Sequence, residues 1–202
     1  MIDNLVCVKS FSAPPVDKRE VLRYAGVRES TPEMEKMLDE CIALSEDKLG
    51  YNVCYRIFEI KKDGDTLDLG FASVKSKSLM INLEGCDRIA LFCATVGSAM
   101  DRLIAKYSVV SPSRAVMLQA LGSERVEALC DTFCQYLGES FSFDEGDIKR
   151  RFSPGYGDLP LSLQRDVFAA IDCTAKIGVT LNSDMFMLPS KSVTAIVGIK
   201  CK

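Results

Sequence analysis

The sequence predicts an α+β fold with a largely antiparallel sheet and flanking helices, and three observations predict it. A β-rich block over residues 51 to 95 sits between helical blocks, the strict βαβ alternation of a doubly wound sheet is missing, and a last strand, "SVTAIVGIK", closes the chain. With 202 residues, 48% of them hydrophobic and 26% charged, the chain is long enough to bury roughly 70% of the surface its unfolded form exposes. One domain over residues 1–202 is therefore expected.

The elements follow in order. Residues 1 to 16 read as an extended lead-in ending at Pro14 and Pro15, after which Asp17 caps a short helix, "KREVLRYAG", that stops at Gly26. Thr31 as N-cap, Pro32 at the first helical position, Glu33 and Glu35 in the first turn and Gly50 beyond the end mark a second helix. Its buried stripe is expected at Met34, Leu38, Cys41 and Leu44 or Ser45. "YNVCYRIFEI" is rich in β-branched and aromatic residues, "KKDGDT" is a hairpin turn, and "IALFCATVG" has the continuous apolarity of a strand buried on both faces. "SAMDRLIAKYSVV" returns to helical spacing. From Pro112 to about Gly138 runs a long, mostly buried helix with Gly122 and Ser123 as a candidate kink and Val126, Leu129, Cys130, Phe133 and Leu137 on the buried side. A polar connector, "SFSFDEGDIK", leads to "KRRFSPGYGDLP", and a helix "SLQRDVFAAIDCTAKIG" is expected to be capped by Ser162 and ended by Gly178.

Composition removes several classes of function. The net charge of −3 offers no global attraction to nucleic acid or anionic lipid. No run of eighteen apolar residues occurs, and the first residues lack a basic, apolar-cored leader, so a cytoplasmic protein is expected. Nine cysteines, odd in number, scattered and without a CxxC pair, read as reduced thiols serving as small hydrophobes, Cys130 and Cys134 included. Histidine is absent. That removes Ser-His-Asp and Cys-His nucleophile systems and histidine-type zinc sites, leaving carboxylates, Arg, Lys, Tyr, Cys or a cofactor to carry any chemistry.

Two segments hold candidate chemistry. Glu124, Glu127 and Asp131 recur at i, i+3 and i+7 on one helix, which reads either as a solvated stripe or as a functional acidic face. In "KRRFSPGYGDLP" no GxGxxG opens a helix and no Walker-type GK[ST] exists, so neither standard nucleotide loop is present. Arg151 can present its planar fork to a carboxylate, Gly155 lets backbone approach a flat heterocycle, and Tyr156 can cover one side of it. The competing reading pairs Arg151 with a nearby acid such as Asp147 and leaves Pro154 to Gly157 as a plain turn.

Taken together, "RFSPGYG" and "KIGVTLNSDMFMLPSKSVTAIVGI" resemble the activation domain of vitamin B12-dependent methionine synthase, in its small stand-alone form. The first fits that family's R-x-x-x-G-Y motif at Arg151, Gly155 and Tyr156, and the second its glycine-ended helix, Met-x-Pro loop and Ser-Val strand. "LCDTFCQYL" is similar to the helix whose acidic residue contacts the ligand's amino group, here Asp131, and "LFCATVGSAMDRLI" to the family's strand-to-helix passage. Order and spacing agree over residues 87–199, and residues 1–80 match loosely. Two departures stand out: Ser162 lies near the place of a histidine in the family's large enzymes, and their Tyr-bearing segment after the last strand has no counterpart before Lys202.

The resemblance implies an S-adenosylmethionine-binding, methionine synthase activation domain-like protein. Asp131 would accept from the ligand's ammonium and Arg151 would fork its carboxylate, while backbone around Ser153 and Gly155 would meet the adenine and Tyr156 would pack beside the ligand. No catalytic acid or base and no metal ligand is implied, because methyl transfer from a sulfonium to cobalt moves no proton. The implied role is an accessory one in trans, supporting reductive methylation of inactive Co(II) cobalamin carried by a partner methionine synthase or related corrinoid protein, with an electron donor such as flavodoxin acting indirectly. The alternative is a ligand-free scaffold or regulatory binding protein for another corrinoid methyltransferase. A third reading, an independent small-molecule enzyme, would use Glu127 and Asp131.

Overall fold

A computed structural model describes residues 5–140 and 147–200. Its centre is a four-stranded, wholly antiparallel sheet in the order β1-β2-β6-β9, built from β1 (Cys7–Phe11), β2 (Tyr51–Glu59), β6 (Arg88–Thr95) and β9 (Ser192–Ile199). A small antiparallel sheet of β3 (Lys61–Asp63), β4 (Thr66–Asp68) and β5 (Ser73–Val74) contains the predicted hairpin, and β7 (Thr180–Leu181) pairs with β8 (Met187–Leu188).

Side-chain alternation on β6 shows why that segment is apolar throughout. Ala90, Phe92 and Ala94 face one core, with Val53, Tyr55 and Ile57 of β2 beside them, while Ile89, Leu91 and Cys93 face another with Cys54 and Phe58. The first core is closed by α1 (Lys18–Tyr24), α2 (Pro32–Ser45), α4 (Ala99–Val110) and α5 (Pro112–Ser140), through residues such as Val21, Leu38, Met100 and Phe133. The second is closed by α3 (Lys77–Asn82), α6 (Gln164–Ile171) and α7 (Cys173–Ile177), through Leu79, Val167 and Cys173. The eight described cysteines are all unpaired and six are buried, four of them (Cys54, Cys86, Cys93 and Cys173) in the second core.

Caps and stops largely follow the local chemistry. The Asp17 side chain accepts from the Arg19 and Glu20 N–H groups, and the Thr31 hydroxyl accepts from Met34 N–H. The second helix stops at Ser45 and continues as a 3₁₀ turn over Glu46–Lys48, with Gly50 beyond the end. Several expectations fail, each for a tertiary reason. The buried stripe of the second helix is Leu38, Cys41 and Ser45, and Met34 in the first turn is exposed because the core begins one turn later. Gly122 and Ser123 make no break: α5 is one helix of 29 residues, about 43 Å long at 1.5 Å per residue. Gly122 serves close approach instead, since a β-carbon there would lie 2.7 Å from Met100 Cγ and 2.9 Å from Lys191 Cε.

The expected helix from Ser162 to Gly178 is three pieces. A 3₁₀ turn over Leu161–Leu163 has no side-chain cap, so Ser162 caps nothing, and Asp172 at φ 47° separates α6 from α7 while its side chain caps the latter at Ala175 N–H. Gly178 ends α7 as expected.

Residues 147–152 lie along the outer edge of β9. Lys149 N–H donates to Gly198 C=O at 2.9 Å, and Phe152 and Ile196 exchange backbone bonds at 2.9 and 2.8 Å. Gly198 makes this approach possible: a β-carbon would sit 2.6 Å from Leu83 Cδ2, 2.8 Å from Cys86 Sγ and 3.0 Å from Lys149 Cγ. Gly198→Ala is expected to destabilise by about 1–3 kcal/mol through overpacking. Urea unfolding checks it, with a lower midpoint at unchanged m-value expected; a midpoint equal to that of the unsubstituted protein would mean that the strand and its neighbours yield freely.

Candidate functional site

The added edge segment delivers Arg151 to a place between β9 and α5. Its Nη1 donates to Asp131 Oδ1 at 2.6 Å and its Nη2 to Glu127 Oε2 at 2.8 Å. Glu127 and Asp131 are four apart, one above the other on the same helix face, which is why one guanidinium bridges both. The Arg151 side chain is 22% exposed, Glu127 42% and Asp131 75%, so burial deepens from Asp131 to Glu127 to Arg151. Arg151 thus has acidic partners, and two of them, Glu127 and Asp131, come from α5. Glu124, the third acid of the proposed stripe, is neither solvated nor part of this group: it is buried and paired with Arg125.

Beyond Arg151 the chain turns sharply. Gly155, at φ 91°, donates to Leu159 C=O at 2.9 Å, and Ser153 C=O accepts from Tyr156 N–H at 3.1 Å, so these two backbone groups are engaged within the turn. Asp158 fastens the turn to the start of α3. Its carboxylate accepts from Ser76 Oγ at 2.5 Å, Lys77 N–H at 2.7 Å and Ser78 N–H at 3.1 Å. The Ser76 hydroxyl first, and then those N–H groups, pull the Asp158 carboxyl down to about 2. On the other side, Asp101 of α4 accepts from Ser190 N–H at 2.9 Å, and the Ser190 hydroxyl also bonds to it, anchoring the Met-x-Pro loop ahead of β9.

Between these anchored segments lies a cavity of about 370 Å³. Arg151, Ser153, Pro154 and Tyr156 line one side of it, Glu127 closes the α5 end, and Gln164, Met187, Ser192 and Thr194 complete it. Of the sequence-predicted residues, Arg151, Ser153 and Tyr156 line the cavity. Tyr156 is 67% exposed, at the rim. Asp131 reaches Arg151 from outside the lining, and Gly155 turns away, its position closed by Leu161 Cδ1 at 3.2 Å from where a β-carbon would be.

The cysteines nearby are packing residues. Burial pushes the Cys130 thiol well above the usual thiol range and raises Cys134 as well. Among the described residues, no group of three or more Cys, Asp and Glu is arranged to hold a metal, and no helix is long and apolar enough to cross a membrane.

Gln164, Ser192 and Thr194 are not identified as site residues by the sequence, and Glu127 enters there only as part of the acidic face of the third reading. Glu127 was visible as an acid one turn before Asp131. Ser192 and Thr194 carried a signal too: they are polar residues two apart in an otherwise apolar strand, and therefore share a face. Both are buried, with Ser192 Oγ 2.8 Å from Thr95 Oγ1 and Thr194 Oγ1 donating to Gln164 Oε1 at 2.7 Å.

No family model matches the chain, and no curated protein matches it. Among solved structures it is similar to the crystal structure of the MetH reactivation domain bound to AdoHcy, with a TM-score of 0.75 over 98% of this chain and 79% of that chain. Sequence identity is 14%. The likeness shows the fold: mixed helices and strands around an antiparallel sheet, arranged as in the reactivation domain.

Proposed function

We propose that residues 1–202 form one domain that binds S-adenosylmethionine and supports, in trans, the reactivation of a corrinoid-dependent methionine synthase or a related corrinoid protein. The observation that carries this reading is the cavity at the R-x-x-x-G-Y turn, with Arg151 and Glu127 on its wall, in a chain folded like a reactivation domain whose crystal structure holds AdoHcy. Charge supports it. Glu127 and Asp131 against Arg151 leave one net negative charge, and S-adenosylmethionine, with a carboxylate, an ammonium and a sulfonium, carries one net positive charge.

The residues fit such a ligand in kind. Arg151 holds the carboxylate, the α5 acids hold the ammonium, and the turn at Ser153 with Tyr156 at the rim leaves the cavity mouth to a second molecule. When bound to its partner protein, cobalamin supplies the nucleophile for the sulfonium methyl. This chain's contribution is binding and orientation, so the protein acts as an accessory component and needs no acid or base of its own. Reduction of the corrinoid falls to a separate electron donor.

A second reading, a scaffold without ligand, draws support from one observation: both Arg151 terminal nitrogens already donate to acids of the same chain. Titration calorimetry separates the two. Saturable one-to-one binding of S-adenosylmethionine below about 1 mM, equivalent to at least about 4 kcal/mol, is expected of the first reading. Absence of heat and of any thermal stabilisation at that concentration would leave the scaffold.

A further inference from the structure

The structure assigns Gln164 as a ligand-reading residue: we infer that its side-chain amide donates a hydrogen bond to an acceptor on the nucleoside part of the ligand. The inference rests on the S-adenosylmethionine reading above and adds a residue to which no role has been given. Gln164 is the first residue of α6, 5% exposed, and it lines the cavity. Its carbonyl oxygen is already committed, accepting from Thr194 Oγ1 at 2.7 Å, and Thr194 is 1% exposed. Nε2 has no hydrogen-bond partner among the described residues, and it is also not among the fully enclosed side-chain atoms that lack one. The amide nitrogen is therefore not fully enclosed, and Gln164 is a residue of the cavity wall.

A primary amide whose oxygen is turned toward a neighbouring hydroxyl directs its two N–H donors the other way. Leaving them unmatched when a ligand displaces water costs a full desolvation penalty, so a ligand that fits this cavity presents an acceptor there. The position on the wall selects which acceptor. Arg151 and Glu127 supply the charged groups at the α5 side of β9, whereas Gln164 projects from α6, and α6 packs on the opposite face of the sheet. With the amino-acid group of the ligand held at the charged side, the uncharged donor faces its nucleoside, whose acceptors are ribose hydroxyl oxygens and purine ring nitrogens. Thr194 acts as a positioning residue: its hydroxyl holds the amide so that nitrogen rather than oxygen points inward.

The test is calorimetric titration of Gln164→Met, which keeps the length and removes the donor, and Gln164→Glu, which keeps the shape and removes the N–H groups. S-adenosylmethionine and, as competitor, adenosine are the probes, and near-ultraviolet circular dichroism checks the fold. Both variants are expected to bind S-adenosylmethionine at least about ten-fold more weakly, with adenosine weakened in parallel. Thr194→Val should weaken binding less, and should cost nothing further in the Gln164→Met background, as expected if it acts only through the amide. Wild-type protein that does not bind S-adenosylmethionine would overturn the functional reading and this inference with it. Wild-type binding that Gln164→Met and Gln164→Glu leave unchanged would overturn the inference alone.

Discussion

Arg151→Ala is expected to weaken S-adenosylmethionine binding by about 1.5–3 kcal/mol, roughly 10- to 150-fold, because it removes a charged, two-pronged donor from the cavity wall. The side chain is mostly buried, and removing it also leaves Glu127 and Asp131 side by side without a cation, so the site's net charge falls from −1 to −2. The added negative charge opposes the ligand's carboxylate at the position Arg151 vacates. Arg151→Lys restores charge without the planar fork, and is expected to recover only part of the loss. Calorimetry on the three proteins measures it. Affinity unchanged in Arg151→Ala would mean that Arg151 serves only to tie the edge segment to α5, and that its contacts with Glu127 and Asp131 are the whole of its role. Both acids are more exposed than Arg151, and water is free to solvate them in the variant. The effect on folding stability is therefore expected to be smaller than the effect on binding.

The largest effect on stability is expected one turn earlier on the same helix. Arg125 and Glu124 are adjacent, buried to within a few per cent, and joined by two bonds of 2.5 Å. Arg125 also donates to the carbonyls of Pro14 and Pro15, and Glu124 Oε1 accepts from Asp17 N–H at 3.0 Å. The pair therefore clamps the lead-in between β1 and α1 onto the middle of α5. Prolines at 14 and 15 have no N–H, and their carbonyls would be left without a donor if Arg125 were removed. Arg125→Ala is expected to cost about 3–5 kcal/mol, because it strands a buried carboxylate and two backbone carbonyls together. Chemical denaturation gives the value. The double variant Glu124→Leu with Arg125→Met should be less damaging than Arg125→Ala alone, since it leaves no unpaired buried charge. A loss under 1 kcal/mol for Arg125→Ala would show that water reaches Glu124 and that the clamp contributes little.

Much of the fold was legible because its signals are local. Asp17 and Thr31 cap the helices that their positions announce, Gly178 ends α7, and the unbroken apolarity of "IALFCATVG" becomes a strand with both faces in a core. Errors arose where a residue's meaning lies in its neighbours across space. Gly122 reads as a helix breaker in one dimension, yet in three it is the gap that admits Met100 and Lys191. Ser162 reads as a cap, yet the chain enters α6 through a 3₁₀ turn set by packing of Leu163 and Val167.

The candidate site divides in the same way. By itself the sequence determined the helical spacing that stacks Glu127 beneath Asp131, the Pro-Gly turn behind Arg151, and the alternation that places Ser192 and Thr194 on one face, because each follows from backbone geometry over a few residues. Only the tertiary structure decided that Arg151 meets both acids, that Glu124 belongs to a different and buried pair, and that the Gln164 amide is held by Thr194, thirty residues along the chain, at the cavity wall. The Arg151 contacts depend on residues 147–152 docking against the edge of β9, a pairing between distant segments that local propensity does not encode.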